Sequence, residues 1–87
     1  MKILAKEIEI ISVFKTNGSI EPIKFKVIDN DGVGHIIKVT KITSVTEQKM
    51  AGIKSLVFCC QSEMGNTMKL YELKYRIVDH KWELYKM

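Results

Sequence analysis

The chain has few of the residues that staple or break a fold. It contains one proline, Pro22, and two cysteines, Cys59 and Cys60, which are adjacent. Neighbouring residues of a strand point to opposite faces, so a disulfide between these two would need a strained turn. The cysteines therefore predict no disulfide framework, and they are typical of a reducing compartment.

Long apolar runs are also missing. No stretch of the sequence approaches the roughly 20 apolar residues of a membrane span. Lys6 and Glu7 interrupt the first apolar residues before a signal-peptide core can form. We therefore expect a cytoplasmic protein that does not enter a membrane.

Motifs for catalysis and metal binding are the third absence. His35 and His80 have no zinc-ligand spacing relative to each other or to the cysteines, and no serine lies in a nucleophile-elbow sequence. The run Asp29-Asn30-Asp31-Gly32 contains calcium-binding residue types, but its glycine comes fourth rather than sixth, so it is interpreted as a turn. The sequence predicts no cofactor, no metal ion and no small-molecule ligand, and an enzyme is the least supported class.

The composition is that of one small globular domain covering residues 1–87. Hydrophobic residues make up 46% and charged residues 28% of the 87 residues, which argues against disorder. Lys and Arg exceed Asp and Glu to give a net charge of +4 and a pI near 9.1. This surplus permits an anionic partner without requiring one.

Short turn signals divide the chain into strand-length segments. The dipeptides that tolerate the backbone of a tight hairpin are Asn17-Gly18, Asp31-Gly32, Gly65-Asn66 and Asp79-His80. Apolar residues alternate between them, except near Thr40-Lys41, where a bend would let one long strand serve two parts of a sheet. The pattern predicts an all-β fold, a six-stranded antiparallel meander that forms a small, partly open barrel of the SH3-like or a similar type.

The first two hairpins have different predicted loops. A two-residue Asn17-Gly18 loop places Ile10 opposite Phe25, Ser12 opposite Ile23 and Phe14 opposite Glu21. A three-residue loop from Asp31 to Val33, with Gly32 left-handed, places Phe25 opposite Val39, Val27 opposite Ile37 and Lys26 opposite Lys38.

The other reversals follow the same reasoning. The chain is expected to turn between Glu47 and Gly52, with positive φ at Gly52 or with a helical turn over 48–51. The Gly65-Asn66 loop sets Cys60 against Tyr71, Phe58 against Leu73 and Leu56 against Tyr75, and the Asp79-His80 loop sets Ile77 against Trp82 and Tyr75 against Leu84. We expect Cys60 to point inward and Cys59 outward, and a core centred on Tyr75, Leu84, Phe58 and Leu56.

Four lysines form the first candidate site: Lys24, Lys26, Lys38 and Lys41. Like charges that face each other across strands cost free energy unless an anion compensates them. Glu9, predicted opposite Lys26, could compensate for one lysine, which would make this an ordinary solvated face. The functional alternative is a surface for nucleic acid or for an acidic protein.

The last strands predict a second outward patch of Val57, Cys59, Lys74, Arg76 and Tyr85. Small barrels that bind nucleic acid stack a base on an aromatic ring and bind the phosphate with neighbouring cations. The ordinary interpretation is that Tyr85 rests on a lysine stem.

Ile11, Val13 and Ile28 are predicted to point outward from the first hairpin. That is more apolar surface than a monomer usually exposes, so a loop, a protein partner or a second copy of the chain should cover it.

Four segments resemble small bacterial all-β proteins of unknown function: Ile8-Glu9-Ile10-Ile11, Pro22-Ile23-Lys24-Phe25, Tyr71-Glu72-Leu73-Lys74-Tyr75 and Trp82-Glu83-Leu84-Tyr85. The resemblance implies a small all-β domain and no particular activity. The sequence therefore predicts a non-catalytic binding module that acts on a protein partner through an outer sheet face, with a nucleic-acid-binding barrel that uses Lys24, Lys26 and Lys38 as the alternative.

Overall fold

The computed structural model describes residues 1–87 and confirms the all-β class. No helix is present that could cross a membrane. The chain forms seven strands, β1 (Ile3–Phe14), β2 (Ile20–Ile28), β3 (Gly34–Lys38), β4 (Lys41–Met50), β5 (Ile53–Met64), β6 (Thr67–Arg76) and β7 (Lys81–Lys86). The count exceeds the expected six because the chain bends at Val39-Thr40, next to the predicted position, and divides one long segment into β3 and β4.

The strands form one antiparallel sheet that curls into a half-barrel. Their order is β3-β2-β1-β7-β6-β5-β4, so the first and last strands of the chain pair with each other. The two edge strands, β3 and β4, are consecutive in sequence and are joined by the bend. One segment of chain therefore forms both edges of the sheet.

The first two hairpins have the same loop, which corrects one prediction in length and the other in position. In each loop three residues lie between a hydrogen-bonded pair: Lys15 N donates to Ser19 O at 2.8 Å, and Asp29 N donates to Val33 O at 2.9 Å. Gly18 and Gly32 take the left-handed position, with φ of 91° and 79°. The first loop is thus longer than predicted, and the second begins one residue earlier.

A β-bulge in β2 restores the predicted register for Ile10 and Ile11 but not toward the loop, where Ser12 and Phe14 lie opposite Pro22 and Ile20 rather than the predicted Ile23 and Glu21. Ser12 pairs with Pro22 and Ile11 with Lys24, so Ile23 has no partner on β1. The extra residue cancels the error in loop length, and Ile10 lies opposite Phe25 as predicted. The bulge also accommodates the proline, which cannot donate to a regular ladder.

The pairing of β2 with β3 differs from the prediction by two residues. Val27 lies opposite His35 and Phe25 opposite Ile37, because the loop starts earlier than expected. A shift of two keeps every side chain on its predicted face. The facing lysines are consequently Lys24 and Lys38, not Lys26 and Lys38.

Of the two predicted C-terminal registers, that of β5 with β6 is confirmed and that of β6 with β7 is wrong. The β5–β6 register is as predicted, with Cys60 opposite Tyr71. The β6–β7 register is again displaced by two, since Tyr75 faces Trp82 and the turn covers Ile77–His80. The β4–β5 turn is Ala51-Gly52, with φ of 49° and 82°, so positive φ at Gly52 is confirmed and there is no helical turn.

The core lies on the inner face of the half-barrel, and most of it comes from β5, β6 and β7. Its buried members are Phe25, Phe58, Cys60, Tyr71, Leu73, Tyr75, Trp82 and Leu84. The opposite orientations of Cys59 and Cys60 are confirmed, whereas Leu56, predicted at the centre, is only half-buried. Burial raises the pKa of the Cys60 thiol to about 12, so this side chain packs as an unreactive thiol.

A buried hydroxyl pair fastens β3 to the opposite wall. Ser62 is completely buried, and its Oγ donates to the Lys38 carbonyl at 2.6 Å. The Tyr71 hydroxyl in turn lies at 2.5 Å from Ser62 Oγ. Burial raises the pKa of Tyr71 to about 12, so the phenol stays neutral and donates its proton to Ser62. The pair closes the half-barrel at the bend.

Candidate functional site

The outer face of β1, β2 and β3 brings together most of the first candidate cluster with two of the three predicted apolar residues. We call this surface the Ile-Lys face; its residues are Glu9, Ile11, Lys24, Lys26, Ile28, Ile36 and Lys38. Their side chains alternate with inward residues of the same strands, of which Phe25 is 1% exposed. Cross-strand pairing arranges the face in rows, Ile36 beside Lys26 and Glu9, Lys38 beside Lys24 and Ile11, and Gly34 beside Ile28.

The isoleucines of this face are accessible. The exposed fractions are 55% for Ile11, 41% for Ile28 and 66% for Ile36. A shallow depression of about 290 Å³ lies between Ile11 and Ile36 and is bordered by Lys24, Lys26 and Glu9. The face therefore intersperses exposed isoleucines with lysines, and Lys26 lies at its centre between Ile36 and Glu9.

The lysines of the Ile-Lys face are not neutralised within the chain. Lys24 and Lys38 are direct cross-strand neighbours, and neither they nor Lys26 forms an ion pair. Glu9 pairs in register with Lys26, as predicted, but their charged atoms do not come within ion-pair distance. Facing lysines destabilise a sheet by up to about 1 kcal/mol, which an anionic partner would relieve.

The remaining residues of these two predictions lie at the margin. Val13, 44% exposed, pairs with Glu21 beyond the bulge, where Lys15 already forms an ion pair with that glutamate at 2.8 Å. Lys41 follows the bend in β4 and shares a depression of about 470 Å³ with Lys38.

The start of β1 secures the other end of the face. β1 and β2 are paired from Glu9 and Lys26 to the loop that joins them. Before that pairing begins, Lys6 Nζ of β1 donates to the Ile28 carbonyl of β2 at 2.7 Å. Ala5, with φ of 46°, belongs to the irregularity in β1 that precedes Lys6. Lys6 thus satisfies a carbonyl at the end of β2 and holds Ile28 next to β1.

The second patch is largely occupied by its own contacts. Val57 was predicted to point outward but is 8% exposed, with Thr46 of β4 and Lys74 of β6 as its cross-strand neighbours. Lys74 Nζ lies 4.4 Å from the centroid of the Tyr85 ring, and Lys86 Nζ lies 5.3 Å from it. Lysine side chains commonly pack their aliphatic stems and ammonium groups against a tyrosine ring. Cys59, another residue of this patch, is half-buried.

Arg76 is bound by three carboxylates from three parts of the chain. Its Nη2 lies 2.7 Å from Glu7 and 3.0 Å from Asp79, and its Nη1 lies 2.9 Å from Glu83. Desolvation works to lower the pKa of Arg76, but the hydrogen bonds and charges of these carboxylates raise it overall. The guanidinium therefore joins β1, β6 and β7.

Both histidines are hydrogen-bonded to other side chains. His35 Nε2 lies 2.8 Å from Asp29 Oδ2, and this hydrogen bond, with those from the backbone of Val33 and Asp31, lowers the pKa of Asp29. His80 Nδ1 is hydrogen-bonded to the Tyr75 hydroxyl at 2.8 Å. No group of three or more His, Cys, Asp or Glu side chains is arranged to hold a metal ion.

Comparison of the chain with protein-family models, curated proteins and solved structures finds no match. The resemblance to small bacterial all-β proteins stays a prediction.

Ile36 is the residue of the face that sequence reasoning missed. The signal that could have found it is its alternation with the inward Ile37 and its position two residues before Lys38, which was predicted to point outward. Only the observed register sets it beside Lys26, in the same row as Glu9.

Proposed function

We propose that this protein is a non-catalytic binding module of the cytoplasm that docks its Ile-Lys face on a protein partner. The partner surface has apolar residues interspersed with acidic ones. The observation that carries the proposal is the combination, on one face, of three exposed isoleucines and three lysines that form no ion pair.

Charge complementarity supports an acidic partner. Carboxylates placed between Lys24 and Lys38 would convert a repulsive cross-strand pair into two attractive ones. Such complementarity mainly increases the association rate and the specificity. The isoleucines would supply the apolar burial, with Ile36 and Ile11 on either side of the depression.

The same face supports a protein partner over a nucleic acid. Proteins that bind single strands stack bases on aromatic rings between their cations. The Ile-Lys face has no aromatic residue, and exposed isoleucines lie among its lysines. The nearest approach to a stacking site is Tyr85, whose ring is already contacted by Lys74 and Lys86.

The test is affinity capture from the source cell with matched variants, followed by measurement of the dissociation constant of the captured protein. Ile36→Ala should weaken binding at least about tenfold, as expected for an apolar anchor. Val45→Ala is the control, because Val45 on β4 is similarly exposed at 53% and lies outside the face. Equal losses in the two variants would contradict the proposal.

Nuclease treatment separates the alternative. If capture depends on nucleic acid, oligonucleotides should bind directly, with a log–log salt slope of about −0.7 to −0.9 for each contacted phosphate. Replacing Lys24, Lys26 and Lys38 with glutamine should then reduce that slope by about two to three units. That result would assign the face to nucleic acid, whereas we expect no oligonucleotide binding at about 50 mM salt, a concentration at which phosphate contacts are strong.

A further inference from the structure

The half-barrel has a gap between β3 and the end of β5. The two strands are joined at the bend, where Ser62 Oγ donates to the Lys38 carbonyl and Thr40 N donates to the Gln61 carbonyl at 2.9 Å. Beyond this junction β3 diverges to pair with β2, while β5 continues to Met64 in its hairpin with β6. No strand lies between them.

The β3 side of the gap is a free sheet edge. Val39 N donates to Ile23 O and Asp29 N to Val33 O, so the odd-numbered residues of β3 bond to β2. In an antiparallel ladder the alternate residues point their backbone groups the other way. The N–H and C=O of Ile36 and the N–H of Lys38 therefore face the gap.

The β5 side is free as well. Gln61 O accepts the bond from Thr40, which shows that the odd-numbered residues of β5 point toward the bend. Glu63 follows two residues later, and β4 pairs with β5 only as far as Gln61. The backbone groups of Glu63 consequently face the gap from the side opposite Ile36.

The floor of the gap is apolar. A cavity of about 500 Å³ opens here, within the range of about 300–1,000 Å³ that is usual for binding sites. Ile36 borders the cavity from β3, and its inward apolar lining is Val27, Ile37, Met64, Leu84 and Met87. All except Leu84 are only partly buried, so the gap leaves inner apolar surface uncovered.

We propose that this gap is a strand-addition site for an extended peptide segment of a protein partner. The unpaired N–H and C=O groups on both sides need hydrogen-bond partners, which a peptide backbone supplies and a small apolar molecule does not. Inward side chains of the segment lie on the apolar floor. Its outward side chains lie between Lys38 and Glu63, neither of which forms an ion pair, so charged residues match these positions.

The peptide would complete the wall of the half-barrel. Order within the sheet makes β3 and β5 antiparallel to each other, so the segment runs antiparallel to one and parallel to the other. The site shares Ile36 and Lys38 of β3 with the Ile-Lys face, but its inner side chains and its β5 side lie outside that face, so Met64→Glu tests the gap alone. Either proposal can fail without the other.

The experiment starts from a phage library of random dodecapeptides selected on the immobilised full-length protein. We expect enriched sequences with apolar residues at alternate positions and no proline between them. One enriched peptide is then synthesised and titrated, with amide hydrogen exchange followed by NMR. Binding should protect the amides of Ile36, Lys38 and Glu63, which we expect to exchange rapidly in the free protein.

Two controls identify the mode of binding. Met64→Glu places a charge in the cavity and should weaken binding at least about tenfold, whereas Met50→Glu, at an exposed methionine outside the gap, should leave the affinity within about twofold. Methylation of either alternate set of peptide nitrogens should abolish binding, because one set bonds to β3 and the other to β5. This second control does not depend on how a protein variant folds.

Three results would overturn the proposal. One is that no peptide is enriched. Another is that the peptide binds without protecting these amides, or binds the Met64→Glu and Met50→Glu variants equally. The third is that anilinonaphthalene sulfonate binds in the cavity while no peptide does, which would assign the gap to a small apolar molecule.

Discussion

Phe58→Ala is expected to lower the free energy of unfolding by about 3–5 kcal/mol, the usual cost of deleting a fully buried aromatic ring. Phe58 is 1% exposed, and its ring centroid lies 5.3 Å from that of Trp82 at an angle of 37°. Domains of this kind are stable by only about 5–15 kcal/mol. The loss would therefore be a large part of the total.

Urea unfolding at constant m-value measures this effect. The matched control is Phe14→Ala, because Phe14 is 65% exposed and contacts Tyr75 only at a ring-centroid distance of 6.4 Å. The control should cost less than about 1 kcal/mol, as is common for surface positions. A similarly small cost for Phe58→Ala would show that the inner face of β5 is not the core.

Ser62→Ala should cost about 1–3 kcal/mol, because it leaves the buried Tyr71 hydroxyl without its partner and removes the donor to the Lys38 carbonyl. Tyr71→Phe deletes the other member of the pair. The double variant should cost less than the sum of the single ones, since both remove the same hydrogen bond.

Ser44→Ala on β4 is the control for this pair, since Ser44 is exposed. Equal stabilities of the two serine variants would contradict a structural role for Ser62. A strictly additive double variant would show that the two hydroxyls do not interact.

Side-chain orientation was the most predictable property of the fold. The alternation has a period of two residues, so the register errors of two at Val27 and at Tyr75 left each of those side chains on its correct face. The placement of Cys60 inside and Cys59 outside followed from the same rule.

Turn geometry was less predictable than orientation. Asn17-Gly18 and Asp31-Gly32 are compatible with both two- and three-residue loops, and the choice depends on local hydrogen bonds. Asn17 Oδ1 accepts from Ser19 N at 3.0 Å, and Asp29 Oδ1 accepts from Asp31 N and Val33 N, each at 2.9 Å. These bonds favour the longer loops. The bulge at Ile23 then restores the pairing of Ile10 with Phe25, and the alternation of apolar residues does not predict where that bulge lies.

The candidate site was predicted in part. Lys24, Lys26, Ile11 and Ile28 were recognised from their alternation with inward residues, and the structure places them on one face. The ligands of Arg76 could not be foreseen, because Glu7 lies 69 residues away and reaches it only through the pairing of β1 with β7. Sequence patterns report neighbours along a strand, whereas this contact depends on the order of strands in the sheet.

Photo-crosslinking in the source cell tests most directly whether the Ile-Lys face binds a protein. Benzoylphenylalanine replaces Ile11, which belongs to the face and lies away from the gap, in one variant and Val45 in another, two similarly exposed positions on different strands. We predict an adduct at position 11 that protease destroys and nuclease does not, with none at position 45. An adduct that nuclease removes, equal adducts at the two positions, or no adduct at position 11 would contradict the proposed function.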